Sequence, residues 1–182
     1  MPIFEEQNLT EFLAEVKLNM ENITDSHEED IQEINDYIFQ SSGKFIRSKL
    51  IFIYGTFLEV DRNDLVELSS ATELIHLSTL IHDDIIDDAP IRRGKKTIFK
   101  KWGVTKALLY GDYLYTKTFS SLNSLQNQKI ASILIQCAEK LIEGEFKQLK
   151  NIGNLNVSIS DYQIVINNKT CLLYTSPSPR DL

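Results

Sequence analysis

The sequence predicts an all-α fold, a helical bundle, and three observations carry that expectation. Apolar residues recur three and four apart through almost the whole chain, no segment alternates in the manner of a half-buried strand, and Gly, Pro, Ser and Asn gather in short breaks between the periodic stretches. With 182 residues, 42% hydrophobic and 25% charged, the chain is long enough for one domain with a sizeable core.

Leu9, Phe12, Leu13, Val16 and Met20 form the apolar stripe of a first helix. "SHEEDIQEINDYIF" follows, with Ser26 and Glu29 at the spacing of a capping box. Ser-Ser-Gly at 41–43 reads as a loop before "FIRSKLIFIYGTFLEV", which is nearly all apolar after Lys49 and is expected as a central helix. Its β-branched content leaves a buried strand open as the alternative. Asp61 is placed to cap the next helix, which is expected to run to about Asp88 and stop before Pro90. Residues 89–100 read as a basic loop, and two further helices are expected over about 104–124 and 127–149. After the loop "NIGNLNVSIS", Ser160 is placed to cap a last helix, "DYQIVINNKT". Residues 1–170 are thus expected to form the N-terminal part of one all-helical domain. The last twelve residues, "CLLYTSPSPRDL", break the pattern with Ser-Pro-Ser-Pro and resemble a translated sequencing adapter, so 171–182 are expected to be a non-native tail, with a genuine unfolded tail as the alternative.

Composition narrows the function. A net charge of −7 argues against a general nucleic-acid binder, which carries a broad basic face. No apolar run approaches the roughly 20 residues of a membrane span. The acidic N-terminus, "MPIFEEQNLTEFL", lacks the pattern of a signal peptide, so a cytoplasmic location is expected. Cys137 and Cys171 make no disulfide framework, and Cys137 lies in an apolar helical pattern as a packed thiol.

The segment that most demands explanation is "LIHDDIIDDAP", with Asp83, Asp84, Asp87 and Asp88 at the end of an apolar helix. On a helix, residues three and four apart share a face, which brings Asp83, Asp84 and Asp87 toward one patch. Each like-charge pair costs about 0.2–0.5 kcal/mol. The helix C-terminus disfavours each anion by roughly a further 0.3–1 kcal/mol. Something cationic must offset this. One reading is a solvated acidic end balanced by Lys95 and Lys96. The other is a hard-cation site, and D-D-x-x-D suits Mg²⁺, which takes few carboxylates and keeps positions for water and phosphate. Calcium is disfavoured because the EF-hand loop pattern is absent.

Cations surround this segment in sequence. Arg92 and Arg93 follow it in "PIRRGKK", and guanidinium forks match phosphate oxygens. His76 lies seven residues upstream of Asp83, roughly 10 Å along the helix; a satisfied core histidine is the alternative. "SGKFIR" offers Lys44 and Arg47, and "NNKT" offers Lys169 and Thr170, either of which pairs could be plain surface residues. Together they suit two diphosphates side by side, one on metal and one on bare cations.

These motifs resemble the trans-polyprenyl diphosphate synthases, the all-α chain elongases of isoprenoid biosynthesis, over Gly43 to Thr170. "HLSTLIHDDIIDD" resembles the family's first aspartate-rich motif, "IRRG" its trailing arginine pair, "SGKFIR" its G-G-K-x-x-R element, "LLYGDYLYTKTF" its V-G-D-x-L helix and "INNKT" the start of its K-T-A helix. The resemblance implies an isoprenoid-synthase bundle, incomplete at its C-terminus. It implies that Asp83, Asp84 and Asp87 hold Mg²⁺ on the allylic diphosphate, with Arg92, Lys169 and Thr170 contacting it. It implies that Lys44, Arg47, His76 and Arg93 bind isopentenyl diphosphate. The reaction would be ionisation of the allylic C–O bond, attack by the isopentenyl double bond and proton loss. The metal and arginines would stabilise the departing diphosphate, and the aspartates would be ligands rather than general acids.

The chain departs from the family pattern at Ser42, Phe45 and Ser48, and Glu145 and Gln148 look like the longer-chain members. The family's second aspartate-rich motif does not occur before residue 182. Ser78 and Thr79 stand where short-chain members place aromatics, so the product is expected to be longer than farnesyl, with Tyr113 and Phe119 either a deeper floor or core. The resemblance also implies a homodimer, with 104–124 and 127–149 as interface or core. Two other readings are a non-catalytic partner subunit of a heteromeric synthase, or an inactive fragment, and an enzyme that cyclises or condenses prenyl diphosphates differently. The bare cations Lys44, Arg47 and His76 favour elongation.

Overall fold

The computed structural model describes residues 6–40, 43–124 and 128–168. Within them lie eight α-helices: α1 (Glu6–Thr24), α2 (Glu29–Phe39), α3 (Ile46–Phe57), α4 (Arg62–Ile86), α5 (Ile98–Trp102), α6 (Val104–Ser121), α7 (Gln128–Asn151) and α8 (Ile159–Ile166). The chain divides into two compact units, Met1–Ser124 and Leu125–Leu182. The all-α expectation holds. Among the described residues the exception is a short hairpin, β1 (Ile91–Arg92) with β2 (Lys95–Lys96), where the sequence suggested a plain loop.

In the first unit α4 is the central helix, packed by α6, α1, α3 and α5. The stripe predicted for α1 supplies Phe12, Val16 and Met20 to the core, joined by Ile34, Phe52, Leu74, Ile81, Ala107, Tyr110 and Leu114. A polar chain runs through the core. Tyr110 donates to Asn35 Oδ1 at 2.6 Å, and Asn35 donates to the Thr24 carbonyl at 2.6 Å. Tyr113 also donates to that carbonyl, at 3.0 Å, which ties α6 to the end of α1 and gives Tyr113 a structural post on the side of the bundle where α1 ends. Burial pushes the Tyr110 hydroxyl well above its ordinary value, so it stays neutral.

Two helices approach α4 closely. A side chain at Gly55 of α3 would collide with Leu65, and one at Gly111 of α6 would collide with the His82 ring. At the second approach Ser78 donates to the Gly111 carbonyl at 2.8 Å. Gly111, in the stretch "YGDYL", is thus what lets α6 lie against the end of α4.

Several local expectations are corrected. Ser26 does not head a capping box: its Oγ accepts from the Glu28 amide at 3.2 Å in a turn before α2, whose N-cap is Glu28. The cap of α8 is Ser158, which accepts from the Asp161 amide at 3.0 Å and donates to the Asp161 carboxylate; the Ser158–Asp161 spacing makes the reciprocal pair that Ser160 lacks. The helix α3 is not buried all round: Phe52 and Gly55 face inward, while Tyr54 and Phe57 are 58% and 73% exposed. Asp61 caps α4 as expected, accepting from the Asn63 amide at 2.8 Å.

In the second unit α7 and α8 pack on each other. The α7 stripe of Ile130, Leu134, Cys137 and Leu141 is buried, and Cys137 is the packed thiol the sequence suggested.

Candidate active site

The aspartates close α4. The helix ends at Ile86, with Asp87 at the C-cap and Asp88 in the left-handed region at φ 47°. The Ala89 amide donates to the Asp84 carbonyl at 3.0 Å and the Asp88 amide to the Ile85 carbonyl at 3.3 Å. This is a Schellman turn with aspartate where glycine is usual, and a short polar side chain tolerates that conformation best after glycine. The turn sends the chain directly into the hairpin, whose tip is Arg93 (φ 51°) and Gly94 (φ 80°). A two-residue hairpin loop of type I′ needs positive φ at both positions. Gly94 meets that demand without strain, whereas at Arg93, which carries a Cβ, the turn imposes it at a cost.

The turn and hairpin fold Arg92 back onto the helix. Its Nε and Nη2 both reach Asp84 Oδ1 at 2.7 Å, and Asp84 is buried. Burial pushes the Asp84 carboxyl up, and the guanidinium opposes the shift. The three aspartates therefore differ in setting. Asp84 is turned to Arg92, Asp83 is half-buried and Asp87 is exposed. Among the described residues no three acidic, histidine or cysteine side chains are gathered as a ready metal cage. Asp83 and Asp87, one turn apart, still fit a hard cation that takes one or two carboxylates and completes its shell with water and phosphate.

Beside the aspartates is a cleft of about 340 Å³ in the first unit. It brings together Lys44, Arg47, His76, Arg92 and Arg93, four of which the resemblance assigned to one diphosphate. Lys44 and Arg47 come from the start of α3, His76 from the middle of α4, and the arginines from the hairpin. The two walls nearly touch, since a side chain at Gly43 would lie 3.6 Å from Arg93 Nη1. Leu77, Leu80 and Ile81 line the cleft with apolar surface. His76 is no core histidine. Burial and the neighbouring Arg47, Arg93 and Arg92 push its pKa down to about 3, so the ring is neutral and can donate a hydrogen bond without adding charge.

Four cleft residues were missed or misplaced by the sequence reading. Lys95 and Lys96, read as counterions of the acidic helix end, stand on the hairpin wall. Tyr37 of α2 donates to the Lys96 carbonyl at 2.8 Å and meets Trp102 edge-on at 5.1 Å, which fastens the hairpin to the bundle. Glu73 also lines the cleft. For Tyr37 and Glu73 the only signal was helical spacing, with Glu73 one turn before His76. Ser78 is fully buried against α6, and Thr79 is half-buried, donating to the His76 carbonyl at 2.7 Å. Tyr115, one turn beyond Gly111, lies near Asp83, and burial and that carboxylate push its hydroxyl up to about 12. Lys169, Thr170, Ser42 and the tail 171–182 lie outside the described residues.

The residues that order this cleft fall within 28–178, the stretch that matches the family described as polyprenyl synthetase. The chain belongs to the polyprenyl synthetase family. It is 32% identical over 148 residues to an octaprenyl diphosphate synthase of Escherichia coli, covering 80% of this chain and 46% of that protein. It is 32% identical over 165 residues to heptaprenyl diphosphate synthase component 2 of Geobacillus stearothermophilus, covering 91% and 52%. The solved decaprenyl diphosphate synthase from Rhodobacter capsulatus superposes with a TM-score of 0.86 at 29% identity, over 92% of this chain and 52% of that one. A polyprenyl synthase from Caulobacter crescentus, solved with calcium and isoprenyl diphosphate, gives 0.87 at 27% identity, over 92% and 51%. The chain thus spans about half the length of the relatives it matches. Among the described residues, no helix is long and apolar enough to cross a membrane.

Proposed function

We propose that the complete protein is a cytoplasmic, Mg²⁺-dependent prenyltransferase that condenses isopentenyl diphosphate with an allylic diphosphate to give a polyprenyl diphosphate. The observation that carries this reading is the cation cleft beside the aspartate turn. Lys44, Arg47, Arg93 and a neutral His76 surround a space with apolar surface, which suits a diphosphate on a short hydrocarbon. Asp83 and Asp87 stand at the end of the same helix and would hold Mg²⁺, which would neutralise charge building on the departing allylic diphosphate. Asp84, locked to Arg92, orients that arginine toward the same anion, with Lys169 and Thr170 assigned there by resemblance. The allylic C–O bond breaks and diphosphate leaves, the isopentenyl double bond forms the new C–C bond, and loss of a proton restores the double bond. The cleft's preset cations would hold the isopentenyl diphosphate so that its double bond faces the ionising carbon.

The test is turnover by the purified full-length protein with isopentenyl diphosphate, an allylic primer and Mg²⁺. Consumption of both, abolished by chelation, supports the reading. Inertness toward isopentenyl diphosphate overturns it, and cyclised product from the primer alone replaces it with the cyclase reading. The comparisons do not favour a non-catalytic partner subunit. Small side chains at Ser78 and Thr79 support a product longer than farnesyl, and Ser78→Phe or Thr79→Phe shortens it in chromatography of extracted prenols. Since Ser78 is buried against α6, only variants that keep wild-type circular dichroism are compared. Light scattering of the full-length protein at twice the monomer mass supports the homodimer, and monomer mass overturns it.

A further inference from the structure

Arg47 lies in the first turn of α3 and Lys44 just ahead of its N-cap, yet that turn has no side-chain cap of its own. Its N-cap residue is Phe45, in the left-handed region at φ 48° and ψ 41°, without a side-chain cap hydrogen bond. The first amides of a helix have no partner inside it and need one from elsewhere. For Ser48 that partner comes from another helix. Glu73 Oε1, on α4, accepts from the Ser48 amide at 3.3 Å and from the Ser48 hydroxyl at 3.2 Å. Ser48 is fully buried.

Glu73 and Asp84 are the two carboxylates among the described residues lining the cleft, and Asp84 is taken by Arg92. An anion near several cations in a diphosphate pocket weakens that pocket by charge alone. Its place is explained by geometry. Glu73 sits one turn before His76 on α4, so one carboxylate fastens the backbone beside Arg47 to the helix that presents His76. It also occupies a helix N-terminal amide that would otherwise attract an anion away from the side-chain cations.

Resting on the reading that the cleft takes a diphosphate, we propose that Glu73 is a positioning residue, an N-cap of α3 supplied by α4. It sets Lys44 and Arg47 against His76 for the diphosphate of isopentenyl diphosphate. It touches Ser48 and acts through the helix rather than on substrate.

The test is calorimetric titration of the full-length protein with inorganic pyrophosphate and isopentenyl diphosphate, without metal. Glu73→Ala weakens both by about tenfold or more, since misplacing a positioned charge forfeits its orientation. Glu73→Gln, which keeps the accepting oxygen and loses the charge, stays within about threefold of wild type. In turnover, Glu73→Ala raises the KM for isopentenyl diphosphate and leaves kcat and the KM for the allylic primer near wild type. If Glu73→Ala fails to fold, Glu73→Asp, which withdraws the oxygen by one methylene, is read against Glu73→Gln in the same way. Equal weakening by Gln and Ala makes the role one of charge and overturns the proposal, as does unchanged binding in Glu73→Ala. A wild type that binds pyrophosphate but turns nothing over sinks the function reading and leaves this one standing. A wild type that binds no diphosphate sinks this one.

Discussion

The cation cleft and the aspartate turn share one helix and are built in opposite ways. In the cleft, each wall is held from outside its own element. Glu73 holds the start of α3, and Tyr37 holds the Lys96 carbonyl. At the turn, Asp83 lies in the last turn of α4 and Asp87 at its C-cap, one half-buried and one exposed, and among the described residues no cage gathers them. On the proposed function, the difference follows from what each would bind. A diphosphate held by bare cations has no other organiser, so the protein must place them beforehand. A site completed by Mg²⁺, water and substrate needs only open oxygens, because the ion imposes its own geometry.

The strongest way to break this contrast is to remove an aspartate. Asp83→Ala or Asp87→Ala in the full-length protein lowers turnover by about 10²-fold or more, the size of losing a transition-state charge contact. Metal-free binding of isopentenyl diphosphate stays within about twofold, because none of its cations is touched. Calorimetry showing that binding collapses along with turnover would mean that the two sites are one.

Arg92→Ala tests the link between them. It leaves Asp84 buried without its partner and destabilises the fold by about 1–3 kcal/mol in urea titration. Adding Asp84→Ala recovers part of that loss, since no carboxylate is then stranded. A double variant no more stable than Arg92→Ala shows that the pair does not hold the turn. The hairpin clamp is weaker: Tyr37→Phe removes one hydrogen bond and costs about 0.5–1.5 kcal/mol. It loosens the wall that carries Arg92 and Arg93, so hydrogen exchange quickens at residues 91–96. Unchanged exchange there would assign the fastening to the Lys95 ammonium over the Tyr37 ring, 5.6 Å from its centroid, instead.

The helices were legible because their signals are local: a stripe such as Phe12, Val16 and Met20 fixes a buried face, and Asp61 caps from two residues away. Much of the site was legible for the same reason, since Asp83, Arg92, Lys44 and His76 each stand in a short recognisable motif. What was not legible depends on the chain returning on itself. The Asp84–Arg92 pair spans eight residues and exists only because of a Schellman turn and a hairpin, whose basic residues read as an ordinary loop. Glu73 and Ser48 are 25 residues apart, and nothing in either neighbourhood names the other. Ser26 and Ser160 failed as caps because a motif states which bonds a residue can make and leaves open which turn will claim it.

The smallest effect isolates the field inside the cleft. His76 is neutral in the fold, with its pKa pushed down to about 3 by burial and by Arg47, Arg93 and Arg92, from 6.5 in the unfolded chain. Between those values the unfolded chain binds a proton that the native state refuses. Stability contributed by the neutral ring is therefore present above pH 6.5 and is lost as pH falls below it. From pH 7 to pH 6 that loss is at most about 0.7 kcal/mol. His76→Asn lacks it, so wild type weakens by that much more than the variant over the same interval in paired urea titrations, while carboxylates shared by both cancel. Parallel curves would show that burial and the arginines do not hold the ring neutral. Saturating pyrophosphate sharpens the experiment: its negative charge offsets Arg47, Arg93 and Arg92, raises the ring's pKa and narrows the gap between the two curves. A gap that does not respond to pyrophosphate would place the anion away from His76 and move the diphosphate to the far wall of the cleft.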